Sequence, residues 1–263
     1  MDIFDRIVDH YEESLNYFPN NNIIGIFLQG SQNYHLETSR SDVDTKLLVA
    51  PSFNEIALAK QPVSHTHVRS NNEHIDFKDI RLMIQTFRKQ NINFIECLFT
   101  SYKMVIDKYA SLWAELCNRK EDIAHYDPAY AVKSMIGQIR QKRKYLQNDS
   151  EGRHVNIEKY GYDPKELHHI IRFEEFMRRY IAGESFEDCL IPKDRDYLIH
   201  VKEGWYDVNE AIVKADLYVS LAEEIADTFI NTYKGAPNQE VSEFLDDMQV
   251  KFMKEALKEE FEQ

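Results

Sequence analysis

A glycine-serine pair and two aspartates stand in the order that phosphate and metal chemistry would use. Gly30 and Ser31 follow a short apolar run, and Asp42 and Asp44 begin a second one. Glycine permits a sharp turn whose N–H groups can cradle a phosphate. Side chains two positions apart in a strand share one face, so the two carboxylates are expected side by side. Since Mg²⁺ held by two carboxylates is completed by substrate phosphates, the pattern predicts a nucleoside triphosphate site.

Asp76 is the candidate for a third carboxylate, because it lies in a strand-like segment over residues 73–78. A third carboxylate would let two metal ions bridge the attacking and leaving oxygens of a displacement. Asp79 is expected instead to cap the helix that follows it. An ordinary turn followed by a solvated strand start explains each feature singly. The combination, with strands predicted on both sides, favours the site.

Lys165 occupies the second position of a helix predicted over residues 164–182, where a cation opposes the helix dipole. A helix N-terminus with a lysine is a good anion receptor, so we expect contact with a triphosphate or an acceptor. His168 or His169 and then Arg172 continue a basic stripe at helical spacing. The alternative is a solvated basic face with one buried histidine. Adjacent histidines on a helix do not share one metal ion, which disfavours zinc.

A second basic feature lies between residues 128 and 147, where the chain has no acidic residue although its net charge is −13. The basic residues there are Lys133, Arg140, Lys142, Arg143 and Lys144. Such a segment would receive an RNA end or nucleotide phosphates if it lined a cleft. A solvated helix face balanced by acidic neighbours explains it equally well.

These residues require strands in the first part of the chain and helices in the second. Strands are predicted over residues 23–28, 45–50, 65–68, 74–77 and 102–106. Asp127-Pro128 and Asp163-Pro164 mark helix starts, Glu166 would complete a capping box, and Gly183 would end the helix. Two last helices are expected over 208–233 and 240–260. The predicted fold class is α+β, with a small mixed β-sheet flanked by helices over 1–106 and a helical domain over 107–263.

Composition narrows the class of protein. The 263 residues are 43% apolar, enough for a sizeable core, which excludes a disordered or fibrous protein. The net charge of −13 excludes non-specific coating of nucleic acid. Three widely spaced cysteines are interpreted as reduced core thiols. Without an apolar leader or a membrane-length apolar stretch, we expect a soluble cytoplasmic protein with no membrane partner. Composition does not determine the oligomeric state.

The segment resembles the nucleotidyltransferase signature of the DNA polymerase β superfamily, which is Gly-Ser, about nine residues, then Ser-Asp-x-Asp. Here Gly30-Ser31 is followed after nine residues by Ser41-Asp42-Val43-Asp44. The closer resemblance is to the predicted nucleotidyltransferases associated with RNA ligases, with a signature similar to GSRAYGLATPDSDYD. Further matches are Tyr34, Leu36, Thr38, the segments 91–93, 96–98 and 161–169, and Gly204-Trp205. Gln32, Asn33 and His35 replace the Arg, Ala and Gly of that family, and Ile92 replaces a Pro.

The resemblance implies a nucleotidyltransferase palm that transfers a nucleoside monophosphate, which we expect to be AMP from ATP, onto an acceptor hydroxyl. It implies catalytic Asp42, Asp44 and Asp76 holding two Mg²⁺ ions, with Mn²⁺ as an alternative, and nucleotide contacts from Gly30, Ser31, Ser41, Lys165 and His168. Association with RNA ligases favours an RNA end as acceptor and a role in RNA repair. A protein acceptor and a non-catalytic, antitoxin-like nucleotide-binding module remain open.

Overall fold

The computed structural model describes residues 2–38 and 41–261. The strands are β1 (Ile23–Gln29), β2 (Asp44–Val49), β3 (Ser64–Val68), β4 (His74–Asp79) and β5 (Lys103–Val105). The helices are α1 (Ile3–Ser14), α2 (Phe53–Ala57), α3 (Ile80–Arg88), α4 (Ile92–Ile95), α5 (Asp107–Asn118), α6 (Lys120–Ala124), α7 (Pro128–Tyr145), α8 (His154–Tyr160), α9 (Pro164–Ile181), α10 (Phe186–Leu190), α11 (Arg195–Lys202), α12 (Val208–Thr232) and α13 (Gln239–Phe261). The α+β class, with a helical C-terminal half, is confirmed.

The five strands form one mixed sheet in the order β3-β4-β2-β1-β5. β2 runs parallel to β4, and the other neighbouring pairs are antiparallel. All five predicted strands are present, with ends that differ by at most two residues, because their apolar runs are bounded by turn-forming residues. The parallel pair is decisive for the site, since it places β4 directly beside the strand that begins with Asp44.

Alternation along the strands gives the sheet two unlike faces. On β4, Ile75 and Phe77 are buried in an apolar cluster that includes Ile7 of α1. The intervening side chains of β4, at positions 74, 76 and 78, are half-buried and polar. Because side chains alternate with a period of two, His74, Asp76 and Lys78 share the face opposite the core cluster. Asp44 and Lys46 lie on that same face of β2, which we call the polar face.

The chain divides into two compact units. The first contains the described residues within 1–33, 40–126 and 237–263, and the second those within 34–39 and 127–236. The sequence had placed the boundary at 106/107, but α5 and α13 belong to the first unit. Trp113 of α5 packs on Phe27, with ring centroids 4.2 Å apart, and Arg88 of α3 pairs with Asp246 of α13 at 2.7 Å. These contacts follow from tertiary packing and leave no mark in local composition.

The second unit is helical. In it α9 packs against α7, α12, α11 and α10. Asp163 caps α9 as predicted, accepting from the Lys165 N–H at 3.0 Å, and Gly183 follows its end with φ +89°. Glu166 does not complete the expected capping box. Its buried carboxylate pairs with Lys142 at 3.2 Å, because the ion pair offsets the burial of its charge.

Membrane-spanning helices and the state of the cysteines are two further features that the sequence analysis addressed. Across 2–38 and 41–261, none of the helices combines the length and apolar character that crossing a membrane requires. Cys97, Cys117 and Cys189 are free thiols, of which Cys97 and Cys189 are buried as expected while Cys117 is half-buried, and burial raises the pKa of Cys97 to about 12.

Candidate functional site

The Gly30 turn closes the end of β1. Gly30 adopts φ +97°, and a Cβ placed there would meet no atom within 4 Å. Glycine is therefore favoured by backbone conformation, and the space above the turn is open. Ser31 begins a short 3-10 turn in which the Asn33 N–H donates to the Gly30 carbonyl at 3.0 Å. The side-chain amide of Asn33 also donates to the Leu28 carbonyl at 2.9 Å, so this residue ties the turn back to its strand.

Asp42 and Asp44 flank the start of β2. The Asp42 side chain is exposed, and its backbone carbonyl accepts from Gln32 Nε2 at 2.6 Å, which joins this segment to the Gly30 turn. Asp44 Oδ1 accepts from the backbone N–H of His74 at 2.9 Å and from its Nδ1–H at 3.0 Å. Ser41 is half-buried just before Asp42. Ser39 and Arg40, earlier in the same loop, lie outside the described residues.

Asp76 lies opposite Lys46 in the parallel register of β2 and β4. Its Oδ2 is 3.3 Å from Lys46 Nζ, and its Oδ1 accepts from the Thr66 hydroxyl. Burial disfavours the charged form of Asp76, but the Lys46 ammonium and the hydrogen bonds from Thr66, Lys46 and Gln29 outweigh it. The pKa of Asp76 therefore lies below its ordinary value, and the group is a carboxylate near neutral pH.

Asp42, Asp44 and Asp76 do not by themselves form a complete metal-coordination site. Among residues 2–38 and 41–261, no three His, Cys, Asp or Glu side chains converge as a metal-binding group. Asp44 and Asp76 share the polar face, with side chains 34% and 30% exposed, while Asp42 lies in the loop before it. This donor set fits a hydrated Mg²⁺ ion, which keeps several waters and takes one or two carboxylates plus substrate phosphates. Asp76 is already engaged by Lys46.

Lys46 is a functional candidate that sequence reasoning missed. It is 2% exposed in β2, directly before the apolar residues 47–49, and its ammonium also donates to Gln29 Oε1. A lysine is rarely this buried unless its charge is paired, so the contacts with Asp76 and Gln29 explain the position of Lys46. The sequence feature that could have identified Lys46 is a single cation within the predicted strand 45–50, two positions after Asp44.

Glu73 is a second residue that the sequence did not single out. It is 1% exposed at the start of β4, and one carboxylate oxygen accepts from the Val43 N–H at 3.1 Å. The other oxygen accepts from His10 Nε2–H at 3.0 Å, and the Thr45 hydroxyl donates to Nδ1 of the same imidazole at 2.9 Å. Glu73 thus holds the backbone of Val43, and His10 holds the side chain of Thr45, on the two sides of Asp44.

Arginines balance the buried charge of Glu73. Arg6 pairs with one oxygen, and Arg69 donates to the other at 3.1 Å. Asn71 Nδ2 also donates to this second oxygen at 2.7 Å. These donors offset the desolvation penalty of burying a carboxylate. We call Glu73 with His10, Arg6 and Arg69 the Glu73 network.

Lys165 and His168 lie in the second unit. The Lys165 side chain is exposed, and its contact with a nucleotide stays a prediction. His168 is 3% exposed and donates from Nδ1 to the Leu198 carbonyl at 2.9 Å. Burial lowers the pKa of His168 to about 3, so the ring is neutral. This environment matches the alternative of a buried structural histidine. The proposed nucleotide site therefore does not include His168.

The basic segment of α7 is largely paired within its own unit. Arg140 binds Glu223 at 2.7 Å, Arg143 binds Asp216 at 2.6 Å, and Lys142 binds Glu166 as described above. The acidic partners come from α9 and α12, far away in sequence. The segment therefore corresponds to the alternative of a helix face balanced by acidic neighbours, and it contributes no argument for RNA binding.

Comparison with protein-family models finds no match, and comparison with curated proteins finds none. Among solved structures, the crystal structure of a nucleotidyltransferase-like protein from Exiguobacterium sibiricum 255-15 matches 87% of this chain and 76% of its own. The sequence identity is 13% and the TM-score is 0.33. Similarity at this level transfers neither fold nor activity to this chain.

Proposed function

We propose that this protein is a metal-dependent nucleotidyltransferase that moves a nucleoside monophosphate, AMP from ATP, onto an acceptor hydroxyl and releases pyrophosphate. The observation that carries the proposal is the register of three neighbouring strands. Gln29 pairs with Asp44 between β1 and β2, and Lys46 pairs with Asp76 between β2 and β4. The open Gly30 turn is thus one strand spacing, about 4.8 Å, from the strand that carries Asp44, which in turn neighbours the strand of Asp76.

In this proposal Gly30 and Ser31 hold the β- and γ-phosphates with their N–H groups and the Ser31 hydroxyl. Asp42 and Asp44 are the ligands that would hold Mg²⁺, or Mn²⁺, with Asp76 contributing to the second of two ions. Bound Mg²⁺ would supply neutralisation of the triphosphate and polarisation of the α-phosphate. Lys165 is a candidate for further phosphate contact.

Asp76, which is ionised near neutral pH, accepts the proton of the acceptor hydroxyl, and Lys46 and Thr66 hold its carboxylate in place. The hydroxyl oxygen forms a bond to the α-phosphorus as the bond from that phosphorus to the pyrophosphate oxygen breaks. The bonding electrons leave with pyrophosphate, and the proton stays first on Asp76 and then passes to solvent. Such a displacement depends on positioning and charge stabilisation more than on covalent chemistry by the protein.

The test is transfer of label from ATP radiolabelled at the α-phosphate, with Mg²⁺, to RNA or to protein. Asp42→Asn combined with Asp44→Asn should abolish transfer while leaving the thermal midpoint within a few degrees, because both side chains are outside the core. Asp9→Asn with Glu12→Gln makes the same charge change on α1 and should transfer label normally. Full transfer by the Asp42/Asp44 variant would refute the metal assignment. Binding of ATP without transfer by the unaltered protein would favour the non-catalytic module.

A further inference from the structure

A small pocket opens beside Asp76 on the side away from the Gly30 turn. Its volume is about 200 Å³. The pocket is lined by Ser64, His65, Thr66, Asp76, Phe77, Lys78 and Phe94. Pockets for whole drug-sized ligands measure roughly 300–1,000 Å³. This pocket therefore suits one small group of a larger molecule, and not an entire nucleotide.

The charge of the pocket is positive. Lys78 Nζ donates to Ser64 Oγ at 3.0 Å, and among residues 2–38 and 41–261 no carboxylate lies within ion-pair distance of it. Lys46 and Lys78 direct their ammonium groups at the same Phe94 ring, 4.4 and 4.9 Å from its centroid. Among the described residues, Asp76 is the carboxylate next to these two cations. A bound anion would balance the charge of the Lys78 ammonium.

The position of Lys78 excludes the triphosphate as that anion. In the register of the sheet, Lys78 of β4 pairs with Leu48 of β2, and Leu48 pairs with Gly25 of β1. Lys78 therefore lies at the level of Gly25, which is five positions before Gly30. The separation between the two positions is roughly 10 Å across the strands and roughly 16 Å along them. A triphosphate seated on the Gly30 turn and reaching Asp44 would end well before this pocket. Asp76, which faces the acceptor in the proposed reaction, lies between them.

We propose that Lys78 and Ser64 form a subsite for a phosphate group of the acceptor, adjacent to the hydroxyl that Asp76 deprotonates. This inference rests on the proposed function and deepens it by naming the acceptor class. Every residue of a nucleic-acid chain carries a phosphate close to its hydroxyl groups, whereas an unmodified serine or tyrosine carries none. The pocket therefore favours the end of an RNA chain over a protein hydroxyl.

Calorimetric titration of the full-length protein with inorganic phosphate, a short oligoribonucleotide, a tyrosine-containing peptide and ATP with Mg²⁺ tests the subsite. Lys78→Gln should weaken phosphate and oligoribonucleotide binding by about tenfold, which equals about 1.4 kcal/mol. Its affinity for ATP with Mg²⁺ should not change. Lys60→Gln removes the same charge from an exposed position outside the pocket and should leave all affinities unchanged. Ser64→Ala should weaken phosphate binding less than Lys78→Gln does.

Three results would overturn the subsite. They are oligoribonucleotide binding that is absent or insensitive to both variants, tighter binding of the peptide than of the oligoribonucleotide, and an equal loss of ATP affinity in Lys78→Gln. Circular dichroism checks that each variant is folded, and Ser64→Ala decides the test if Lys78→Gln is not. If the unaltered protein fails to bind ATP while phosphate binding still depends on Lys78, the proposed function fails and the anion site stands.

Discussion

His35 ends the short turn that begins at Ser31, and it adopts φ +55° although it is not a glycine. This left-handed conformation costs an L-residue roughly 1–2 kcal/mol. The family that the sequence resembles has glycine at this position. His35 is exposed, so its bulk is accommodated outside the packed core, and the strain is in the backbone.

His35→Gly should therefore raise the free energy of unfolding by up to about 1 kcal/mol, since relief of strain exceeds the entropy that glycine adds to the unfolded chain. Urea denaturation of the variant and the parent measures the difference. His35→Ala keeps the strained backbone and should give no gain. Equal stabilisation by both substitutions would mean that the imidazole, and not its φ angle, is the source of the cost.

At the scale of elements, β2 begins where the Glu73 network holds it. Val43, between the two aspartates, donates its N–H to Glu73, and Thr45 donates its hydroxyl to His10. Residues from α1 and the start of β4 thus set the path of the strand that carries Asp44. The carboxylates on the polar face are positioned from the opposite face of the sheet.

Glu73→Gln should lower the free energy of unfolding by about 3 kcal/mol, because it removes the buried carboxylate that Arg6, Arg69 and His10 share, although Arg69 keeps its pair with Glu13. Glu12→Gln on the exposed side of α1 is the matched control and should change stability by less than about 0.5 kcal/mol. Chemical denaturation with both variants measures this. A loss below about 1 kcal/mol for Glu73→Gln would show that the network contributes no net stability.

Over the whole molecule, buried histidines link stability to pH. Burial, with Arg69 and Arg6 nearby, lowers the pKa of His10 to about 4, although Glu13 opposes this and His67 adds to it. Glu73 and Thr45 contact the same ring. Burial likewise lowers the pKa of His168 to about 3 and that of His169 well below its ordinary value. All three rings are neutral in the folded protein.

Stability should be independent of these groups above pH ~6.5 and should fall as pH drops below it, because the unfolded chain then binds protons that the folded chain does not. Each histidine contributes a slope of up to about 1.4 kcal/mol per pH unit until its folded pKa is reached. Denaturation followed by Trp113 or Trp205 fluorescence, with the other tryptophan changed to phenylalanine, reports the first and the second unit.

In this experiment His10→Gln should reduce the loss of stability at acidic pH that Trp113 fluorescence reports. The loss that Trp205 fluorescence reports should not change. His154→Gln, at an exposed histidine, should leave both losses in place. Constant stability of the parent from pH 7 to 4.5 would contradict this, because it would show that these histidines bind protons in the folded protein as readily as in the unfolded chain.

The sequence by itself determined the local features of this protein. The strands of the sheet follow from short apolar runs bounded by turn residues, and the starts of α3, α7 and α9 follow from Asp79, Asp127 and Asp163 as N-caps. The turn at Gly30 follows from its glycine. Each of these depends on residues a few positions apart, whose preferences act before any long-range contact forms.

Only the tertiary structure decided which distant residues meet. The parallel pairing of β2 with β4 places Lys46 against Asp76, and the Glu73 network joins His10 to a residue 63 positions away. Folding also paired the basic segment of α7 with acids of α12 and buried His168, for which the family resemblance implied a nucleotide contact. The reason is physical: strand order, register and burial are set by the packing of the whole chain, which local periodicity does not encode.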